Sequence, residues 1–340
     1  MIRVQENTSL KPYNTFGIDV KTKYFCEIRS DDELQELIAT DLFKNEKKLI
    51  LGGGSNVLFT RNFDGLLILN SIQGIEIVEE TEEKITLKAS SGERWHSLVM
   101  NCVKHNWGGI ENLSLIPGTV GAAPMQNIGA YGVEVSEVIT KVEAIELTTG
   151  EIKMFTREEC KFGYRESIFK NTAKEKYFIS SVTLTLCKKN YHINISYGAI
   201  SDILKQMNVS QPTIQSVSEA VIKIRTEKLP DTTTLGNAGS FFKNPEIGEK
   251  LFEKIKSEYP VIPHYTAANQ QVKVPAGWLI EQCGWKGKKF DRIGVHATQA
   301  LVLVNYGDAN GEEIFQLAMK IIQSVREKFS ITLTPEVNIF

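Results

Sequence analysis

The chain has 340 residues, 42% hydrophobic and 24% charged, which is ordinary for a soluble globular protein and long enough for two or three domains with real cores. A formal net charge of −2 excludes a global field that draws the chain to nucleic acid or to an acidic membrane, so bound anions must be met locally. Five well-separated cysteines without C-x-x-C pairing argue for reduced thiols over a disulfide framework, and five scattered histidines argue against a metal site.

In chain order, the opening Met1-Ile2-Arg3-Val4 lacks the apolar core of a signal peptide, and no apolar run of about eighteen residues follows anywhere, so a cytoplasmic location without a membrane span is expected. Ser30-Asp31-Asp32-Glu33 reads as a capping box ahead of a helix with Leu34, Leu37 and Ile38. Lys48-Leu49-Ile50-Leu51 reads as a short strand running into Gly52-Gly53-Gly54-Ser55-Asn56, which makes an opening β-α-β unit. Ile85, Leu87 and Ala89 alternate as a strand, whereas Trp95, Leu98, Val99, Cys102 and Val103 share one helix face that Asn106 and Gly108-Gly109 stop.

Beyond residue 132 the pattern is mostly strand. Ile152 and Met154 alternate with polar residues, as do Val182, Leu184 and Leu186 after Phe178-Ile179. A helix with Val217, Ala220, Val221 and Ile224 closes this region. The rest of the chain carries a helix around Phe252 and Ile255, the segment Pro275–Cys283, and an apolar run over 300–304. A final helix bearing Ile314, Leu317, Ala318, Ile321, Ile322, Val325 and Phe329 reads as core.

Two loops carry the first functional signal. The sixteen residues from Pro117 to Gly132 hold no charge, four glycines, two prolines and three alanines, a composition that lays bare N–H groups against an anion. Gly52-Gly53-Gly54-Ser55-Asn56 follows a strand but is neither a Walker A loop, since no Gly-Lys-Ser/Thr follows, nor a G-x-G-x-x-G fingerprint, since Val57 stands where glycine is needed. Alone it reads more readily as a tight strand-to-strand turn. Paired, the two loops can grip the two phosphates of one dinucleotide. The pair resembles the FAD-binding domain of the vanillyl-alcohol-oxidase (PCMH) type, which implies diphosphate contacts from Gly52, Gly53, Gly54, Ser55, Asn56, Pro117, Gly118, Thr119, Val120, Gly121 and Ala122.

Three further segments narrow the reaction: Lys161–Phe169 around Arg165, Asn237–Pro245 around Ser240, and Thr334-Pro335-Glu336-Val337. With Asn14-Thr15-Phe16-Gly17-Ile18 they resemble the UDP-N-acetylenolpyruvoylglucosamine reductases of the first type, from about residue 10 onward, the segment around Tyr197-Gly198 included. The resemblance implies an α+β flavoprotein, a two-part PCMH-type FAD-binding domain plus a C-terminal α+β substrate-binding domain. Residues 1–70 with 327–340 and residues 71–225 would bind non-covalent FAD, and 226–326 the substrate.

The activity so implied is NADPH-dependent reduction of a UDP-sugar enolpyruvyl ether in peptidoglycan precursor synthesis. Arg165 and Glu336 would stabilise charge developing beside the substrate carboxylate, Glu336 while holding a proton, and Ser240 would deliver a proton to carbon. Arg225 would reach a flavin phosphate, and Tyr197, Lys228, Asn244 and Gln299 would contact the UDP-sugar. The chain departs from the family pattern in one place, with Asn338 where arginine is frequent. Without the resemblance, Ser240 is a loop hydroxyl, Arg165 a cation for Glu166, Glu158 or Glu159, and Lys228 a solvated lysine; Phe241-Phe242 reads equally as packing or a sugar platform. Rival classes are another FAD-dependent oxidase or dehydrogenase and a non-catalytic nucleotide-binding protein. A monomer free of nucleic acid and membrane is expected.

Overall fold

A computed structural model describes residues 2–266 and 270–340. The chain falls into two compact units. The first comprises Met1–Thr8, Thr22–Gly53 and Asp64–Glu227, and the second Ser9–Lys21, Gly54–Phe63 and Lys228–Phe340.

The first unit holds a four-stranded sheet ordered Val4–Ser9, Lys21–Ile28, Phe63–Asn70, Lys48–Leu51. The strands before and after the opening helix Asp31–Ile38 lie in this sheet, with Phe63–Asn70 inserted between them and parallel to Lys48–Leu51. Ser30 caps the helix by accepting from the Glu33 N–H at 3.2 Å, while the Glu33 carboxylate returns to the N–H of Arg29, one residue earlier than in a capping box. Leu34 and Leu37 bury against Cys26, Ile28, Leu66 and Ile68.

A five-stranded antiparallel sheet follows in the order Ile152–Thr156, Ile139–Glu146, Tyr177–Cys187, Lys84–Ser90, Ile75–Glu80. Helix Trp95–Lys104 lays its predicted face on it, with Trp95, Leu98, Val99 and Cys102 fully buried among Leu87, Ala89, Val182 and Leu184. The Trp95 indole N–H donates to the Leu113 carbonyl at 3.0 Å, satisfying the one polar atom of the largest core side chain. On the edge strand the alternation runs the other way from its hydrophobic pattern. Ile152 and Met154 are exposed, and Phe155 turns inward against Phe169 and Tyr177. An aromatic trio buries more area than two aliphatic side chains at a sheet edge, so it sets the phase. Helices Gly198–Gln206 and Ile214–Lys228 form a satellite cluster through Ile200, Leu204, Val217, Val221 and Ile224.

The second unit is built on a sheet ordered Gly236–Ser240, Val302–Asn305, Ile293–Val295, Lys289–Phe290, and a smaller one ordered Glu246–Gly248, Gln271–Lys273, Tyr265–Thr266. Helix Gly311–Phe329 opens on a full capping box between Asn310 and Glu313, and buries Ile314, Leu317, Ala318, Ile321, Val325 and Phe329. Helices Glu249–Glu258 and Ala276–Gln282 complete the unit, with Tyr259, Trp278 and Phe329 packed ring against ring. The last strand, Asn338–Ile339, pairs in parallel with Val57–Leu58.

All five cysteines are free, and burial pushes the thiols of Cys102 and Cys160 up to about 12, where they are chemically inert. Among the described residues no helix is long and apolar enough to cross a membrane, and no group of His, Cys, Asp and Glu is arranged to hold a metal.

Candidate active site

In the first unit the two glycine loops meet backbone to backbone. A Cβ built on Gly53 would lie 2.9 Å from Gly118 Cα, and one on Gly52 would lie 2.5 Å from the Thr119 hydroxyl oxygen. No residue larger than glycine fits at Gly53 without displacing the partner loop. Gly118 itself has φ +105, a conformation that favours glycine.

The hydrogen bonds of the second loop divide its donors. Val120 N–H donates to the Glu93 carbonyl at 2.8 Å and Gly121 N–H to the Ser91 carbonyl at 2.8 Å, while Ala122 and Ala123 N–H close short turns onto Thr119 and Val120. Those four groups are used within the protein. Among the described residues no acceptor meets the N–H of Gly53, Gly118 or Thr119. A cradle with open N–H groups fits the diphosphate of FAD.

The remainder of the glycine-rich stretch is no open loop. It forms two short helical turns, Val120–Ala122 and Pro124–Gln126, then a hairpin of Gly129–Ala130 with Val133–Glu134. Asn127, buried and left-handed at φ +45, donates to the Gly163 carbonyl at 3.1 Å and accepts from Ser136 N–H. Ser167 donates to the Met125 carbonyl at 2.7 Å. These bonds hold the tight turn Gly163–Glu166, closed by two backbone bonds of about 3 Å, with Arg165 at its left-handed corner (φ +55). Met125 and Asn127, at the far end of the glycine-rich stretch, thus support the turn that bears Arg165.

Arg225 is brought to the same neighbourhood. Its Nε donates to the Leu115 carbonyl at 3.1 Å and its guanidinium hydrogen-bonds the Tyr131 phenol. Burial pushes the guanidinium down, Tyr131 opposes that, and the Arg165 charge adds to it. Two guanidiniums held within electrostatic reach of each other suit an anionic ligand. Tyr131 packs edge-on against Tyr197 at 5.2 Å. Burial raises the Tyr131 phenol, and Arg225 pulls it partly back. The contacts of Tyr131 and His96 were not legible in the sequence: both depend on partners distant along the chain.

His96 Nδ1 accepts the Leu115 N–H at 2.9 Å, so Leu115, left-handed at φ +57, is pinned by His96 on one side and Arg225 on the other, two residues before Pro117. The bond requires neutral imidazole with its proton on Nε2. Burial and then the Arg225 charge push His96 below its ordinary value of 6.5. The unfolded chain therefore takes up a proton that the folded chain refuses as pH falls below that value, and stability falls with it. The wild type is expected to lose more thermal stability between about pH 7.5 and 5.5 than His96→Asn, whose amide oxygen keeps an acceptor near the Nδ1 position but does not titrate. Parallel melting curves that coincide would remove this role.

The second unit holds Ser240 and Glu336. Ser240 is exposed at the end of its strand, paired with Val302 after a register shift at Gly239. Gly239 stands at φ +66 with open space where a Cβ would be, and its N–H is held by the Asn237 amide oxygen at 2.9 Å. Phe241 and Phe242 are fully buried, so this pair is packing and not a sugar platform. Segment 334–336 runs beside 241–243: Glu336 N–H donates to the Phe241 carbonyl at 2.7 Å and Lys243 N–H to the Thr334 carbonyl at 2.9 Å. Asn56 donates to the Glu336 carbonyl at 3.2 Å and receives both the backbone and side-chain N–H of Asn338 at 3.1 Å each. Asn338 is thus a backbone clamp.

Asn244 and Gln299 converge on the start of helix Ala276–Gln282. The Asn244 amide oxygen accepts Ala276 N–H at 2.9 Å, and Gln299 Oε1 lies 3.3 Å from a Cβ built on Gly277. Lys228 ends helix Ile214–Lys228 with its side chain exposed, and its carbonyl accepts the Thr298 hydroxyl at 3.3 Å.

Comparison with known proteins identifies the family and the fold. A family profile described as the C-terminal domain of UDP-N-acetylenolpyruvoylglucosamine reductase matches residues 231–340, and one described as an FAD binding domain matches residues 22–156. The chain is 49% identical to the UDP-N-acetylenolpyruvoylglucosamine reductase of Flavobacterium johnsoniae over 99% of its own length and 100% of the relative's. It is 44% identical to the enzyme of that name from Pseudomonas putida over 100% of its own length and 99% of the relative's. Among solved structures, UDP-N-acetylenolpyruvylglucosamine reductase from Thermus caldophilus superposes with a TM-score of 0.69 at 20% identity, covering 100% of both chains, a likeness of fold.

Proposed function

The chain belongs to the UDP-N-acetylenolpyruvoylglucosamine reductase family, and from that premise we propose that it reduces the enolpyruvyl ether of a UDP-sugar with NADPH through bound FAD, yielding UDP-N-acetylmuramate for peptidoglycan synthesis. The observation that carries this reading is identity of 44–49% across the full length, which spans every segment bearing a candidate residue.

FAD is held non-covalently. Gly52, Gly53, Gly118 and Thr119 offer the bare backbone for its diphosphate, with Gly54, Ser55, Asn56, Pro117, Val120, Gly121, Ala122 and Arg225 as the remaining proposed contacts. When bound, FAD would supply the hydride chemistry that links NADPH to the CH₂ carbon of the substrate.

The chain's own residues do the rest. Hydride addition at one carbon leaves negative charge on its neighbour and the attached carboxylate. Arg165 and Glu336 are proposed to stabilise that charge, the kind of electrostatic contribution that is often the largest in catalysis. Ser240 is proposed to give its hydroxyl proton to the neighbouring carbon, which completes the saturated ether. Its exposed position allows water to restore the proton. Tyr197, Lys228, Asn244 and Gln299 are proposed to hold the UDP-sugar. On this division of labour, residues 1–70 with 327–340 and residues 71–225 serve FAD, and residues 226–326 serve the substrate. We place the enzyme in the cytoplasm as a monomer, without nucleic-acid or membrane partners.

The test is direct. Under anaerobic conditions NADPH is expected to bleach the protein-bound flavin, and the enolpyruvyl UDP-sugar is expected to restore its absorbance. Protein that stays colourless with added FAD, or bleached flavin that the UDP-sugar leaves bleached, would overturn the reading.

A further inference from the structure

The motif Asn14-Thr15-Phe16-Gly17-Ile18 has no assigned chemistry, yet it occupies an unusual position in the second unit. Asn14, buried, ties its own segment into a knot: its amide donates to the carbonyls of Leu10 at 2.7 Å and Ile18 at 2.9 Å, and its oxygen accepts Ile18 N–H at 2.9 Å. Gly17, at φ +68, closes the turn by donating to the Asn14 carbonyl at 3.0 Å. The knot leaves Thr15 rigidly presented at its crest.

Thr15 faces two elements at once. Its N–H donates to the Gly54 carbonyl at 3.1 Å. Its hydroxyl donates to the Asn237 carbonyl at 2.6 Å, and its own carbonyl accepts Asn237 N–H at 3.0 Å. The hydroxyl also lies 3.5 Å from the Gly54 carbonyl, but its single proton belongs to the much shorter contact. On either side there is no slack. A Cβ on Gly54 would stand 1.9 Å from the Tyr13 carbonyl oxygen, and one on Gly236 would stand 2.3 Å from the Phe16 carbonyl oxygen, which Asn305 also holds at 2.8 Å.

These bonds close a ring. From Asn237 the strand runs through Ser240 to Phe241, whose carbonyl binds Glu336 N–H; the Glu336 carbonyl binds Asn56, two residues from Gly54; Gly54 binds Thr15, and Thr15 returns to Asn237. The ring carries both Ser240 and Glu336. We propose that Thr15 is a positioning residue that closes this ring, holding the Gly54–Asn56 turn in register with the strand that presents Ser240. The inference rests on the reaction proposed above for Ser240. Thr15 touches no reacting group; it acts through the Asn237–Phe241 strand.

The test compares Thr15→Val with Thr15→Ser. Valine keeps the β-branch and both backbone bonds but puts a methyl where the hydroxyl donates, whereas serine restores the hydroxyl. In Thr15→Val, reoxidation of reduced flavin at saturating enolpyruvyl UDP-sugar is expected to slow about tenfold, inside the ~10²-fold that a small misplacement can cost. Reduction by NADPH and the KM for the UDP-sugar should stay near wild type.

A readout independent of turnover is peptide-level hydrogen exchange on the FAD-free protein. Peptides covering 54–58 and 236–242 are expected to exchange about tenfold faster than wild type, with the helix 311–329 unchanged, and serine should restore both rates. Thr15→Ala, which leaves a gap instead of a clash, serves in the same assays if the valine variant does not fold. Wild-type exchange and reoxidation in these variants would overturn the proposal, as would faster exchange throughout the unit with both half-reactions slowed alike. Wild-type protein that never reoxidises with the UDP-sugar would sink the proposed reaction, while the exchange arm would still decide the role of Thr15.

Discussion

In the Ser240→Ala protein, NADPH is expected to bleach the bound flavin at the wild-type rate, while reoxidation by the enolpyruvyl UDP-sugar slows by about 10²–10⁴-fold, the usual contribution of a positioned proton donor. That corresponds to about 3–5 kcal/mol of barrier. The two half-reactions separate because only the second delivers a proton to carbon. A serine hydroxyl is a weak acid, yet it suffices when the acceptor is a strongly basic carbon, provided it is held within reach. The neighbouring Gly239 has open space where a Cβ would be, and pairing with Val302 fixes the strand end that bears Ser240. The substitution removes one exposed oxygen and should leave thermal stability nearly unchanged. Stopped-flow measurement of each half-reaction decides the matter; equal slowing of both would remove Ser240 from proton transfer.

Gly53→Ala is expected to give folded protein that purifies largely without flavin, with FAD affinity reduced about 10²-fold. The backbone of Gly53 lies outside the left-handed region, so alanine can adopt its conformation. The obstacle is Gly118 Cα at 2.9 Å from the new methyl, backbone that must move because no side chain is there to yield. Displacing the Gly118 segment misaims N–H groups meant for a charged diphosphate, and each such bond is worth about 1.5–3 kcal/mol. A tenfold affinity change corresponds to about 1.4 kcal/mol, so one to two misaimed bonds account for the loss. Fluorescence titration of the deflavinated protein checks it, with a melting curve to confirm folding. Wild-type affinity in Gly53→Ala would mean that the two loops do not form the diphosphate cradle.

Much of the local structure was legible because it rests on short-range rules. The helix faces of Trp95–Lys104 and Gly311–Phe329 follow from apolar spacing alone, and in the structure a capping box between Asn310 and Glu313 opens the latter. Where local pattern failed, a nonlocal partner had overruled it. Ile152 and Met154 alternate correctly for an inward face, but Phe169 and Tyr177 draw Phe155 inward. The open loop expected from Pro117 to Gly132 is instead folded by Asn127, Ser136 and Gly163.

Composition by itself pointed to an anion-binding loop, and the order of motifs along the chain pointed, by resemblance, to the family, since both depend on residue type along the chain. Tertiary structure alone decided how they are held. That Gly53 abuts Gly118, that Leu115 is pinned between His96 and Arg225, and that Glu336 is fastened to Asn56 and Phe241 are meetings of residues tens to hundreds of positions apart. No spacing rule encodes such meetings, because hydrogen bonds and steric exclusion act on distance in space. The charge-free loop announces a ligand; its contacts decide which N–H groups remain free to bind it.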